Sequence, residues 1–205
     1  MNYTALLKDE LSKIESYFNQ NELAYLALTA KIEQPLREKL AYRLQQCLDE
    51  EHGKLFCARD WHGVDIAVID SEGNLDRMII IKSGYTADET NVNASMVGFY
   101  PKKIIDDLRK TAELGGSKTK YFALLFYTHI DKPVEQHLKK IVKHDNSLNR
   151  AFKQHSADEI LEEATGYINL FFEQHGITTE KGCIKAGSCW DISVNVYYWF
   201  MEISI

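Results

Sequence analysis

The sequence predicts an α/β domain with a mixed central sheet of about four or five strands flanked by helices. Three observations carry this reading. Apolar residues recur at helical spacing in several separate stretches. Val64–Asp70, a turn at Ser71-Glu72-Gly73-Asn74, and Leu75–Lys82 read as an antiparallel hairpin. Tyr121–Thr128 is a nearly continuous apolar run, the pattern of a central strand buried on both faces.

Taken in order, residues 4 to about 30 read as helix, with Leu6, Leu7, Leu11, Ile14, Tyr17 and Phe18 on one stripe. Asn19-Gln20-Asn21 interrupts it, and a second piece runs through Leu23, Leu26 and Leu28. Pro35 suits the first turn of the next helix, where its missing N–H costs nothing. That helix carries Leu36, Leu40, Leu44, Cys47 and Leu48 and should end near Gly53. Residues 54–59 form a short strand, Asp60-Trp61-His62-Gly63 a turn, and the hairpin follows. Residues 83–100 are polar and read as a loop. Pro101 then opens a helix with Ile104, Ile105, Leu108 and Leu114 buried, closed by Gly115-Gly116. After the central strand, Pro133–His144 reads as a basic amphipathic helix, with Leu138, Ile141 and Val142 facing inward and Lys139, Lys140 and Lys143 outward. Asp158–His175 is a further helix with Ile160, Leu161, Ala164, Ile168 and Phe171 as its stripe, stopped by Gly176. Residues 190–205 read as a long terminal strand.

The chain has 205 residues, 45% of them hydrophobic, which is ample for one domain and short for two. Within a single domain 1–205, residues 35–128 form the core, 1–34 an N-terminal helical segment and 129–205 a C-terminal extension. The net charge of -6 argues against a protein that coats nucleic acid non-specifically, and it leaves room for a local basic cleft. No apolar run is long enough to span a bilayer, and the N-terminus becomes charged too early for a signal peptide, so the expected location is the cytoplasm. Cys47, Cys57, Cys183 and Cys189 contain no CxxC pair. Cys183 and Cys189 are near enough in sequence to bond across a turn, but reduced thiols are the cytoplasmic expectation. No Gly-rich phosphate loop, GxSxG, HExxH or zinc-spaced Cys/His set is present.

Glu38 lies on the leading helix, Asp65 within Gly-Val-Asp-Ile-Ala-Val and Lys82 within Ile-Ile-Ile-Lys. Asp106-Asp107-Leu108-Arg109-Lys110 and Tyr121-Phe122-Ala123-Leu124-Leu125 continue the pattern. Together with the order helix, strand, strand, strand, helix, strand over 35–128, these residues resemble the core of the PD-(D/E)xK, or restriction-endonuclease-like, superfamily. The likeness covers about half the chain and implies a restriction-endonuclease-like core with an added C-terminal helix and strand. It implies a nuclease acting on nucleic acid, with Asp65 and Glu38 as ligands of Mg²⁺ or Mn²⁺ and Lys82 orienting the attacking water. A hard cation held by carboxylates would neutralise the charge that develops on a phosphodiester. Two residues before Lys82, where the superfamily places a second carboxylate, stands Ile80. Residues 78, 80 and 82 share a strand face, so isoleucine would sit beside the lysine, and isoleucine cannot coordinate a metal.

Two readings follow. Either the site is an altered metal-dependent phosphodiesterase, or the chain is an inactive relative serving as a protein-binding or regulatory module, for example in bacterial defence or toxin immunity. Each residue also has a plainer role. Asp65 and Asp60 suit turns, His62 accompanies them, and Asp106 and Asp107 suit the first turn of a helix. Glu38 sits on a charged helix face. Lys139, Lys140 and Lys143 are candidates for phosphate contact, with Lys102, Lys103, Lys118 and Lys120, or they form a solvated surface. Trp190, Tyr197, Tyr198 and Trp199 would stack bases, pack in the core, or line a homodimer seam along an exposed edge.

Overall fold

The computed structural model describes residues 2–50 and 54–203. Its element order is α1 (Tyr3–Lys13), α2 (Glu22–Thr29), α3 (Glu33–Glu50), β1 (Leu55–Trp61), β2 (Val64–Asp70), β3 (Leu75–Tyr85), α4 (Phe99–Thr111), β4 (Lys120–Ile130), α5 (Asp145–Phe152), α6 (Ala157–Gln174), β5 (Glu180–Cys189) and β6 (Ile192–Ile203). The end of α3, expected near Gly53, lies outside the described residues.

One six-stranded sheet, ordered β1-β2-β3-β4-β6-β5, organises these elements. β3 and β4 are parallel and joined through α4, because a parallel pair needs a crossover. The other neighbours are antiparallel. Strand alternation sends side chains to two separate cores. Ile79 and Ile81 of β3 face α1, α2 and α3 with Leu7, Leu28, Leu36 and Leu40. Met78 and Ile80 face α4 with Ile104, Ile105 and Leu108. β4, between β3 and β6, is buried on both faces, as its unbroken apolar run requires. No helix of the described residues is long and apolar enough to cross a membrane. All four cysteines are free.

Several expectations change. First, the sheet gains β5, a strand with no clean hydrophobic alternation. As an edge strand it turns Lys181, Cys183 and Lys185 outward. β6 is therefore an interior strand between β4 and β5, and its aromatic residues form no edge.

Second, Pro133–His144 is not a helix. Only a short 3₁₀ turn, Gln136–Leu138, forms there, and α5 begins at Asp145. The backbone has other partners: the Val134 N–H and C=O both pair with the Asn149 amide, at 2.8 and 3.0 Å, and the Lys143 N–H donates to Leu28 O at 2.8 Å. Leu138 and Val142 are buried as expected, whereas Ile141 is exposed.

Third, residues 83–100 are not a surface loop. β3 continues to Tyr85, two 3₁₀ turns follow at Thr86–Glu89 and Asn91–Asn93, and Tyr85–Thr90 are all buried. Fourth, Leu114 is exposed, because the chain leaves α4 through a 3₁₀ turn that points it outward. On α6 the buried residue is Phe172 rather than Phe171, in step with Ile160, Ala164 and Ile168 at every fourth position.

Ser156 starts α6 with a reciprocal cap: its Oγ accepts the Glu159 N–H at 3.3 Å, and Glu159 Oε2 accepts the Ser156 N–H at 2.7 Å. Ser156→Ala is expected to lower stability by about 1 kcal/mol. A urea titration followed by circular dichroism measures it, and an unchanged midpoint would show the cap to be redundant.

Candidate functional site

β2 and β3 bring Asp65 and Lys82 together, as the sequence leads one to expect. Asp65 is buried near the start of β2, on the face that α4 covers. Its Oδ2 accepts the Ile81 backbone N–H at 2.7 Å and lies 3.4 Å from Lys82 Nζ. Lys82 also donates to Ile81 O at 2.8 Å and reaches Asp107 Oδ2 of α4 at 3.2 Å. Asp107 Oδ1 in turn pairs with Lys103 at 3.0 Å. Arg37 of α3 approaches from the other side: its Nη1 is 3.8 Å from Asp65 Oδ1 and forms an ion pair with Asp60. Asp60 has φ +53°, which breaks the extended run of β1 beside this contact.

Electrostatics follow the geometry. Burial opposes the Lys82 ammonium, but the carboxylates of Asp65, Glu33 and Asp107 outweigh it, and its pKa is raised. Asp107 loses some solvent as well, and the Lys103 and Lys82 ammonium groups more than compensate, so its pKa is lowered. Burial raises the pKa of Glu33, with Lys82 opposing the rise and Asp65 adding to it. No family model matches this sequence, and neither a curated protein nor a solved structure is similar enough to match it. The site must therefore be read from its own chemistry.

Glu38 does not join the cluster. It accepts from Gln34 at 3.0 Å and pairs with Arg59 at 3.8 Å on the outer side of α3. From α3, Arg37 reaches Asp65, and Glu33 interacts electrostatically with Lys82 and Asp65. Helical spacing carried that signal: Glu33 is three and seven residues before Leu36 and Leu40 and shares their stripe, Arg37 follows four residues later, and Glu38 turns away. Asp107 belongs to the cluster through its middle position on α4, while Asp106 has no contact with it. His62 is exposed and packs edge-on against Trp61. Lys139, Lys140 and Lys143 are exposed on the turn after β4, and among the described residues none of them contacts the cluster.

A bound Mg²⁺ or Mn²⁺ needs several oxygen ligands that are free of other cations. Here Asp65 Oδ2 is held by a backbone N–H and Lys82, Oδ1 faces Arg37, and both oxygens of Asp107 face lysines. Ile80 is fully buried on the same strand face as Lys82. Among the described residues, no group of three or more His, Cys, Asp or Glu side chains is placed to hold a metal ion. The donor set does not fit a two-carboxylate metal centre. The arrangement is an ion-pair network in which Lys82 and Arg37 stand against Asp65 from two sides.

Proposed function

We propose that the chain is a restriction-endonuclease-like protein whose metal centre has been replaced by this ion-pair network, and that it serves as a non-cleaving module that binds a protein partner. The order α3-β1-β2-β3-α4-β4, with Asp65 and Lys82 side by side, supports the superfamily reading. The observation that carries the loss of cleavage is the engagement of both Asp65 oxygens by groups of this chain. The carboxylates of Glu33, Asp60, Asp65 and Asp107 outnumber the cations of Arg37, Lys82 and Lys103, so the cluster has no positive surplus to attract a phosphodiester. The net charge of -6 favours a basic protein as partner over nucleic acid.

The test is calorimetric titration of Mg²⁺ and Mn²⁺ into wild type and Asp65→Ala, with a nuclease assay on the same samples. No saturable heat and no metal-dependent cleavage are expected from the folded wild type. Saturable Mn²⁺ binding that disappears in Asp65→Ala, or cleavage lost in Lys82→Ala, would reinstate the metal-dependent phosphodiesterase reading.

A further inference from the structure

The segment 86–98, which connects β3 to α4, contains two adjacent acids that are almost inaccessible: Asp88 and Glu89 are each 1% exposed. They hold different layers of the protein. Asp88 Oδ2 accepts the Tyr85 N–H at 3.2 Å, and its Oδ1 accepts from Ser147 Oγ of α5 at 2.8 Å. Glu89 Oε2 accepts the Gly98 N–H at 2.6 Å, and its Oε1 accepts from the Tyr127 hydroxyl of β4. Glu89 therefore ties the far end of its own segment to the middle of the sheet, one residue before α4 begins. Gly98 has φ +75°, a backbone conformation that strains any side chain, and a Cβ there would lie 2.8 Å from the end of the Tyr167 side chain of α6. The segment is also held by Asn93 Nδ2, which donates to Ala87 O and Ser147 O, and by the Asn91 N–H, which donates to Glu163 of α6.

Among the described residues Glu89 has no cationic partner; Lys31 Nζ lies over the Tyr100 ring, 5.4 Å from its centroid. The titratable groups nearest it are Asp88 on its own turn, Tyr127 on β4 and Tyr100 on α4, all neutral or negative. Tyr85 of β3 adjoins Asp88. His129 of β4 contacts Thr86 at 3.0 Å, and burial lowers its pKa, so it is neutral near pH 7. On the α6 side, His155 faces Glu163 at 3.7 Å and Lys181 donates to Thr165 at 3.0 Å. An ionised Glu89 would be a buried anion beside a second carboxylate, with only two hydrogen bonds to hold it.

We propose that Glu89 is a proton-operated latch: protonated, it clamps the segment 86–98 between the sheet and α4, and ionised, it releases that segment. The latch is independent of what the Asp65 cleft binds. Burial pushes the Glu89 carboxyl up to about 7, with the Gly98 N–H and Tyr127 hydroxyl pulling the other way, so the change falls in the physiological range. The closed segment binds the Glu89 proton more tightly than an opened, hydrated one would. Closure is therefore favoured at low pH, weakens as pH rises from the ordinary carboxyl value of 4.5 towards about 7, and is flat above that.

Amide hydrogen exchange by NMR, corrected for the intrinsic pH dependence, tests the latch. Between about pH 5.5 and about pH 8 the protection of the Gly98 amide in wild type is expected to fall by about tenfold or more. In Glu89→Gln, which keeps the shape and cannot ionise, protection should stay level. Equal pH dependence in the two proteins would overturn the proposal. Should Glu89→Gln not fold, carboxyl ¹³C titration of wild type decides alone: a Glu89 midpoint near 7 supports the latch, and one below about 5 overturns it.

Discussion

Replacing Lys82 with alanine is expected to cost about 3 kcal/mol of stability near pH 7. The argument rests on what the substitution leaves behind. Asp65 would keep its bond from the Ile81 N–H and its longer contact with Arg37 but lose the ammonium at 3.4 Å, and Asp107 would keep only Lys103. The Lys82 and Asp107 side chains are 14% and 19% exposed, so water does little to replace the missing charge. The pH dependence has a definite shape. The pKa of Lys82 is raised above 10.5, so its contribution is fully present below that value and disappears only as pH rises through the folded pKa. The pKa of Asp107 is lowered below 3.8, so its contribution is present above that value and disappears as pH falls through the folded one. The deficit of Lys82→Ala should thus be level across the neutral range and shrink in strong acid. Urea denaturation of wild type, Lys82→Ala, Asp107→Asn and the double variant measures both the loss and the coupling between the two residues. A loss under about 0.5 kcal/mol would mean that the lysine is not a structural counter-ion, and would return it to the chemical role that the superfamily resemblance implies.

The pair Asp65 and Lys82 was legible in the sequence because a hairpin confines register; a bulge between Val68 and Ile69 shifts the pairing by one residue, and the shifted register, with Ala67 opposite Met78, puts the two side chains on the same face. The hairpin, the interrupted N-terminal helices, α3, α4 and the buried β4 were legible for the same reason, since each carries its own period. Glu33 and Arg37 were harder. A glutamate inside a leucine stripe looks like an error of pattern until the sheet end beneath it proves to be charged. Residues 83–100 misled through composition: Asp88, Glu89, Thr90 and Asn93 are polar, but they bond to the backbone of Tyr85, Ala87 and Gly98 and to neighbouring elements, and polar side chains so satisfied can be buried. Pro133–His144 had a helical pattern without a helical backbone, because Asn149 and Leu28 compete for its hydrogen bonds. β5 was hidden because an edge strand has no partner on one side to require apolar residues there.

Trp199→Ala is expected to destabilise the protein by about 3–5 kcal/mol, enough to threaten folding at ordinary temperature. Trp199 is fully buried on β6, between β4 and β5. Its ring meets Tyr127 edge-on with centroids 5.8 Å apart, and its Nε1 donates to Asn169 Oδ1 of α6 at 2.8 Å. Lys181 of β5 lies 5.4 Å from the ring centroid. Alanine would open a large cavity between the sheet and α6, remove the contact with Tyr127 and leave the Asn169 oxygen without its donor. Phenylalanine separates these effects: it keeps most of the ring volume and loses the indole N–H, so Trp199→Phe should cost about 1–2 kcal/mol. The two variants also discriminate between roles for the aromatic strand. A base-stacking tryptophan stands in solvent, and its removal would weaken ligand binding while leaving the urea midpoint in place. A midpoint that moves little in Trp199→Ala would contradict its burial, whereas a large loss in alanine and a small one in phenylalanine would show that Trp199 acts as a core residue holding β6 against α6.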